Sequence, residues 1–315
     1  MNTSEKLRII FMGTPDFAVA SLRKLVENNC NVVAVITAPD RPAGRGQQLR
    51  ETPVKQYAVS QGIPVLQPER LKRPEFVEEL KSYEADLQVV VAFRMLPEIV
   101  WAMPPKGTFN LHGSLLPQYR GAAPINWAVI NGETETGVTT FFIEKEIDTG
   151  QLIYKESTPI TEEDTAGTVH DRLMEIGADL VLKTVRAIEA DDYPQVPQPE
   201  GIEIKHAPKI FKEDCEIIWK KSTEEIYNFV RGLSPYPAAW TTFMDNMLKV
   251  FKTTKLEQPN PDFTIEINDR ETTFLTDEKT YIHAKTADGW LAIDELQLQG
   301  KKRMTTQEFL RGYRF

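Results

Sequence analysis

Asn110 and His112 stand at i and i+2 in the run Gly107-Thr108-Phe109-Asn110-Leu111-His112, and Asp148-Thr149-Gly150 follows further along the chain. The run reads as a strand, and side chains two apart on a strand share one face. An amide and an imidazole on one face can stabilise an oxyanion developing at a reacting carbonyl. A carboxylate can hold the imidazole in its useful tautomer and carry charge or a proton. This is an acyl-transfer set without a side-chain nucleophile. Ser114 lies in the same segment, Asn110-Leu111-His112-Gly113-Ser114-Leu115-Leu116-Pro117. There is no GxSxG elbow and Ser114 is only two residues from His112, so a serine nucleophile is not expected. Spacing alone leaves a blander reading open, with Asp148 capping its own turn and His112 a satisfied structural histidine. Chemistry is favoured by place: the strand ends at a carboxyl edge, where open α/β sheets put their ligands.

The elements that must build such an edge are legible around it. The apolar run Leu7 to Met12 ends at Gly13, and a helix signal from Asp16 to Val26 makes a first βα unit. Short β-branched runs at 32–36, 63–65 and 87–92 alternate with helix-like stretches at 53–61 and 73–82. Such alternation predicts an α/β fold with a parallel, doubly wound sheet. A helix over 123–131, a strand over 137–142 and an amphipathic helix from Thr165 to about Ala190 complete a catalytic domain spanning 1–190. Asp191 to Pro199 holds prolines at 194, 197 and 199, which resist helix and central strand, so 191–206 is expected to be a linker. Beyond it, a helix over 222–231 and short strand-like pieces near 248–254, 262–267, 279–285 and 290–297 suggest a smaller β-rich module, a barrel, over 207–315.

A chain of 315 residues exceeds what one core usually supports, in keeping with two domains. The amino terminus has no apolar signal region and no stretch has membrane-spanning length, so a cytoplasmic protein without a membrane partner is expected. Cys30 and Cys215 belong to no CxxC or Cys/His cluster, and His112, His170, His206 and His283 lack metal-ligand spacing, so neither a disulfide framework nor a metal is expected. A net charge of -9 argues against holding nucleic acid by bulk electrostatics alone. The charge is uneven, however: residues 207–315 carry 16 Lys and Arg against 17 Asp and Glu, which leaves room for a basic face there.

Other segments compete for attention. Gly13-Thr14-Pro15-Asp16-Phe17 lacks GxGxxG and P-loop spacing, and Pro15 removes a backbone donor, so a tight turn is expected there. Phe93-Arg94-Met95-Leu96 follows a strand and lies at the same carboxyl edge; Phe93 and Leu96 are candidate ligand contacts, or core contacts of a loop. Leu115-Leu116-Pro117 is apolar where a solvent loop would be polar, which suits a packed loop or the wall of a pocket for a flat aromatic ligand. The segment Asp40 to Arg50 carries Arg41, Arg45 and Arg50 among Gly, Pro and Ala, a cationic exposed loop of the kind that orders on an anionic partner. Lys301-Lys302-Arg303, Arg311 and Arg314 form a second short basic group.

Four segments together resemble the methionyl-tRNA formyltransferase family along essentially the whole chain: Arg8 to Phe17, Pro39 to Leu49, Asn110 to Pro124, and Glu135 to Thr139 leading towards Asp148-Thr149-Gly150. The Asn-x-His, Ser-Leu-Leu-Pro and Asp-Thr-Gly set resembles the wider group of enzymes that use formyltetrahydrofolate. The loop with Ala43-Gly44-Arg45-Gly46 and the segment Val230 to Trp240 are similar to the tRNA-directed members. The resemblance implies a Rossmann-like formyltransferase domain, a smaller OB-like barrel that binds tRNA, and 10-formyltetrahydrofolate as formyl donor with no metal. It implies charged initiator tRNA as acceptor, and a monomer is expected. It also implies Asn110, His112 and Asp148 as the catalytic set, and Ser114, Leu115, Leu116 and Pro117 as folate contacts; Phe93 and Leu96, from their place after the strand, are the further folate candidates. Arg41 and Arg45 are the candidates for contact with the tRNA. Two other readings stay open on the residues: formyl transfer to a small amine or to water, and an RNA-binding protein that has lost catalysis.

Overall fold

The computed structural model describes residues 6–43, 48–269, 271–313 and 315. The chain separates into two compact units, one of Met1–Gly121, Thr136–Thr158 and His170–His206, the other of Ala122–Glu135, Pro159–Val169 and Ala207–Phe315. In chain order the first elements are β1 (Arg8–Gly13), α1 (Asp16–Glu27), β2 (Asn31–Ile36), β3 (Arg41–Ala43), β4 (Gln48–Arg50), α2 (Pro53–Ser60), β5 (Val65–Leu66) and α3 (Pro74–Ser82). Then come β6 (Leu87–Val91), α4 (Glu98–Trp101), β7 (Thr108–His112), β8 (Arg120–Gly121), α5 (Pro124–Ile130), β9 (Glu135–Phe142), β10 (Leu152–Pro159), α6 (Ala166–Glu189) and β11 (His206–Ala207). A short 3-10 turn at Glu213–Cys215 precedes α7 (Thr223–Leu233), β12 (Ala239–Phe243), β13 (Asn246–Leu256), β14 (Ile265–Asp269) and β15 (Thr272–Thr276). The chain ends with β16 (Ile282–Lys285), β17 (Trp290–Leu298), β18 (Met304–Thr305) and α8 (Thr306–Gly312).

In the first unit the sheet order is β10-β9-β7-β6-β1-β2-β5. The ladders β5/β2, β2/β1, β1/β6 and β6/β7 are parallel, as the alternating pattern predicts. From β1 the chain steps out to β2 and β5 on one side and returns to β6 and β7 on the other, so the strand order reverses between β1 and β6, the place where open α/β sheets bind their ligands. β9 departs from the expected parallel sheet by pairing antiparallel with β7. β6 is buried at every residue, as a strand covered on both faces must be. The core on one side gathers Ile10, Met12, Ile36, Phe76, Leu80 and Val90. Proline starts α2, α3 and α5, where its missing N–H is no loss and its φ suits the first turn. At Gly13 a Cβ would lie 2.5 Å from Ala18 Cβ and 2.8 Å from the Val91 carbonyl, so the first βα turn needs glycine for close packing.

The Asp40–Arg50 segment is more ordered than its composition suggests. Its described residues form a hairpin, with Arg41 opposite Arg50 and Pro42 opposite Leu49. Residues 191–206 also carry more structure than a linker requires: Val196 exchanges backbone hydrogen bonds of 2.8 and 3.0 Å with Leu152.

In the second unit the antiparallel order β12-β13-β17-β16-β15-β14, with β18 on β17, forms a half-barrel. The four expected strand pieces are present as parts of β13, β14, β16 and β17; β12, β15 and α8 join them. Its core includes Trp219, Phe243, Leu248, Phe274, Leu291 and Phe309. α7 begins at a capping box in which Ser222 and Glu225 satisfy each other's backbone donors. Against it packs α5, where a Cβ on Gly232 would come within 2.5 Å of Ile130 Cγ1.

Candidate active site

Alternation along β7 sorts its side chains. Leu111 faces α6 so closely that a Cβ on Gly177 would lie 2.7 Å from Leu111 Cδ2, which turns Asn110 and His112 to the other face together. The Asn110 amide is half-buried and, among the described residues, makes no hydrogen bond within the protein. His112 is 6% exposed, with Nε2 2.8 Å from the Tyr119 carbonyl oxygen. A carbonyl only accepts, so Nε2 carries a proton and donates. Nδ1 faces Asp148 Oδ2 at 3.8 Å, and the Phe141 ring meets the imidazole edge-on with centroids 6.4 Å apart.

Asp148 sits on the loop between β9 and β10 in the left-handed region, φ 56°. Its carboxylate leaves its own turn, accepting from the Gly121 N–H at 3.0 Å through the oxygen that faces His112. That geometry serves the imidazole better than it serves a turn cap. Two features hold the loop. A Cβ on Gly150 would fall 1.7 Å from the Phe142 carbonyl oxygen, so only glycine fits. Gln198 Nε2 donates to the carbonyls of Asp148 at 2.8 Å and Gly150 at 3.0 Å, while Arg120 Nη2 donates to Gln198 Oε1 at 2.6 Å.

The loop after His112 is pinned from within. Ser114 is fully buried and its Oγ donates to the Gln118 carbonyl at 2.6 Å, a commitment that does not suit a nucleophile. Thr139, opposite His112 in the ladder, donates through Oγ1 to the Ser114 carbonyl at 2.7 Å and accepts from Leu116 N at 3.1 Å. Lys155 Nζ donates to the Leu116 carbonyl, and burial pushes the Lys155 ammonium pKa down. Leu116 is buried with Phe141 and Leu152, and Pro117 is buried after a cis peptide bond. Leu115 alone of the four folate candidates in this loop is half-exposed. Phe93 is half-buried beside the core, and Leu96, at 9% exposure, belongs to the core cluster with Met12 and Val90. Arg41 is exposed on β3, whereas Arg45 lies outside the described residues.

Sequence reasoning gave no sign of Tyr119, Gly121, Thr139, Lys155, Arg120 or Gln198. Each acts through a backbone group or reaches the site from a distant segment, and no local pattern marks such a partner. Among the described residues no group of His, Cys, Asp or Glu could hold a metal ion, and no helix is long and apolar enough to cross a membrane.

An α/β unit with Asn110 and His112 on one face at its carboxyl edge is followed by a β half-barrel. The formyl transferase model aligns with residues 6–185 and the formyl transferase C-terminal domain with residues 209–314, and the chain belongs to this family. It is 57% identical over 315 residues to the methionyl-tRNA formyltransferase of Phocaeicola vulgatus, covering 98% of this chain and 96% of the relative. To that of Bacteroides thetaiotaomicron it is 53% identical, covering 98% of this chain and 97% of the relative. Within the family, its place is among the methionyl-tRNA formyltransferases. The fold is shared at lower identity by an N-formyltransferase from Helicobacter canadensis solved with folinic acid and dTDP-3-aminofucose (TM-score 0.62, 20% identity, 95% of this chain and 100% of that one). HypX from Aquifex aeolicus with tetrahydrofolic acid also shares it (TM-score 0.62, 19% identity), and this chain spans 47% of that one.

Proposed function

We propose that this chain transfers a formyl group from 10-formyltetrahydrofolate to the α-amine of methionyl initiator tRNA, with Asn110, His112 and Asp148 as its catalytic set. The observation that carries the assignment of roles is the Asn110 amide, without a protein partner among the described residues and on the same face as an imidazole whose Nδ1 looks to Asp148.

An α-amine titrates near ~8, and the ester beside it lowers that further, so a usable fraction is neutral and attacks without a strong base. The new N–C bond forms as the formyl oxygen takes the electron pair. Asn110 Nδ2–H and His112 Nδ1–H are the donors to that oxygen. Because Nε2–H is held by the Tyr119 carbonyl, Nδ1 is the ring nitrogen left for the reaction, and it donates in the imidazolium form, which the Asp148 carboxylate at 3.8 Å favours. Collapse breaks the bond from the formyl carbon to N10 of the folate, which keeps the pair and takes a proton in balance with the one the amine releases. The pinned loop 114–117 supports the folate ring, Phe93 lies along the aminobenzoyl arm, and Arg41 supports the acceptor stem of the tRNA. The second unit is assigned the body of the tRNA. The reading assigns the protein to the cytoplasm, where charged tRNA is used, and takes it to act as a monomer.

The decisive assay offers 10-formyltetrahydrofolate with either charged initiator tRNA or a small amine such as an amino sugar nucleotide. Transfer to the tRNA, with a loss of roughly a hundredfold or more in turnover for Asn110→Ala and for His112→Ala and unchanged tRNA binding, is expected. Equal use of the small amine would overturn the acceptor, and full turnover by either variant would overturn the roles.

A further inference from the structure

Arg94 stands just beyond β6 with its guanidinium clamped by the main chain, Nη1 donating to the Glu69 carbonyl at 2.9 Å and Nη2 to the Pro68 carbonyl. Its Cζ lies 5.4 Å from the centre of the Phe93 ring. A guanidinium has five N–H donors, so most of the fork is still open. Burial, and then the field of Arg41, lower the Arg94 pKa. Arg41 in turn faces Arg50 across the β3/β4 ladder, a pairing of like charges that weakens a hairpin unless something offsets it.

No acid offsets it among the described residues. Asp40 and Glu51, which flank the hairpin, are spent on Lys55 at 2.6 and 3.1 Å, and Asp40 also takes Gln67 Nε2 at 2.7 Å. Glu69 turns its carboxylate to Arg73 at 3.8 Å. Three arginines are thus left facing solvent at the edge where ligands bind, a local excess of positive charge with one member immobilised.

We propose that Arg94, whose guanidinium fork lies in the field of Arg41, forms a subsite for the glutamyl carboxylates of the folate co-substrate. The subsite rests on the proposed function, which supplies the folate. Val90 and Val91 register beside Asn110 and Leu111, so Arg94 follows only a few residues beyond the strand that flanks the oxyanion pair. A folate whose formyl carbon lies against that pair extends its aminobenzoyl arm along the same rim and ends in carboxylates. A planar arginine fork matches a carboxylate through two parallel hydrogen bonds. A single glutamate already carries two carboxylates and each added γ-linked glutamate brings one more, so a longer tail gains further from the same positive charge. The phosphates of the tRNA acceptor end are the competing anion.

Calorimetric titration of tetrahydrofolate bearing one or three glutamates into the full-length wild type, Arg94→Gln and Arg94→Lys tests this, with thermal unfolding to verify that each variant folds. In the wild type the triglutamate should bind about three- to tenfold more tightly than the monoglutamate. Arg94→Gln should abolish that preference and Arg94→Lys restore part of it, with the KM for charged tRNA unchanged. Wild-type affinities that do not depend on tail length would overturn the subsite while leaving the folate reading intact. A raised KM for tRNA with the tail preference preserved would overturn it in favour of phosphate. Failure of the wild type to bind either folate would overturn both the subsite and the formyl-donor reading.

Discussion

Replacing Gln198 with Ala tests whether the Asp148 loop must be held for transfer to occur. The substitution removes the two hydrogen bonds to the Asp148 and Gly150 carbonyls, at 2.8 and 3.0 Å, and leaves Arg120 Nη2 without its acceptor. Arg120 Nε already lies buried without a partner among the described residues, so the surroundings have little spare bonding capacity to compensate. A neutral hydrogen bond contributes about 0.5–1.5 kcal/mol, and losing two removes about 1–3 kcal/mol from the loop. Asp148 holds a left-handed backbone at φ 56°, which disfavours this arrangement once its carbonyl is released. If the loss is expressed as misplacement of the carboxylate, kcat falls about five- to a hundredfold. The Gly121 N–H bond to Asp148 Oδ2, at 3.0 Å, survives, so the fall should be smaller than in Asp148→Ala. Steady-state formylation of charged tRNA, with both KM values measured, reads this directly: kcat drops while the KM for tRNA and for folate hold. A folded Gln198→Ala variant with wild-type kcat would refute the reasoning, as would a change confined to KM.

Arg41→Gln should weaken charged-tRNA binding and reduce its log-log salt slope by about one, without altering the affinity for monoglutamyl folate; an unchanged slope would remove Arg41 from the phosphate contacts. Gly150→Ala forces a methyl to within 1.7 Å of the Phe142 carbonyl oxygen, so the loop must move and formylation should collapse while far-ultraviolet circular dichroism stays native; retained activity would show that the loop tolerates another path. His283 accepts from Asn260 N at 3.2 Å and stacks on Tyr281 with centroids 4.2 Å apart, and burial holds its pKa below the ordinary 6.5 against the opposing pull of Asp277. Its folded pKa lies below its unfolded one, so its stabilisation is full above pH 6.5 and is lost as pH falls through the folded value. Urea midpoints of wild type should therefore decline on mild acidification more than those of His283→Gln, and parallel declines would discount the histidine.

What could be read from the chain was the part whose physics is local. Asn110 and His112 share a face because a strand has a period of two, and β6 announced itself by an apolar run that only a strand covered on both sides can carry. Helices begun by Pro53, Pro74 and Pro124 were placed to within a residue or two for the same reason. The β3/β4 hairpin was not, because Arg-Pro-Ala and Gln-Leu-Arg are too short to show an alternation and read as loop. β10 also escaped notice, since its middle residues Lys155, Glu156 and Ser157 are exposed in succession and so break the period that marks a strand. The site follows the same rule. Its candidate groups are local, but its geometry comes from backbone groups and remote side chains: the Tyr119 carbonyl holds a proton on His112 Nε2, Thr139 ties two points of the 114–117 loop, and Gln198 reaches the Asp148 carbonyl from fifty positions away. A carbonyl has no residue type, and a glutamine in a proline-rich stretch resembles any other glutamine. The proposed chemistry is therefore read from residue identity, whereas the positioning on which its rate would depend becomes visible only once the chain is folded.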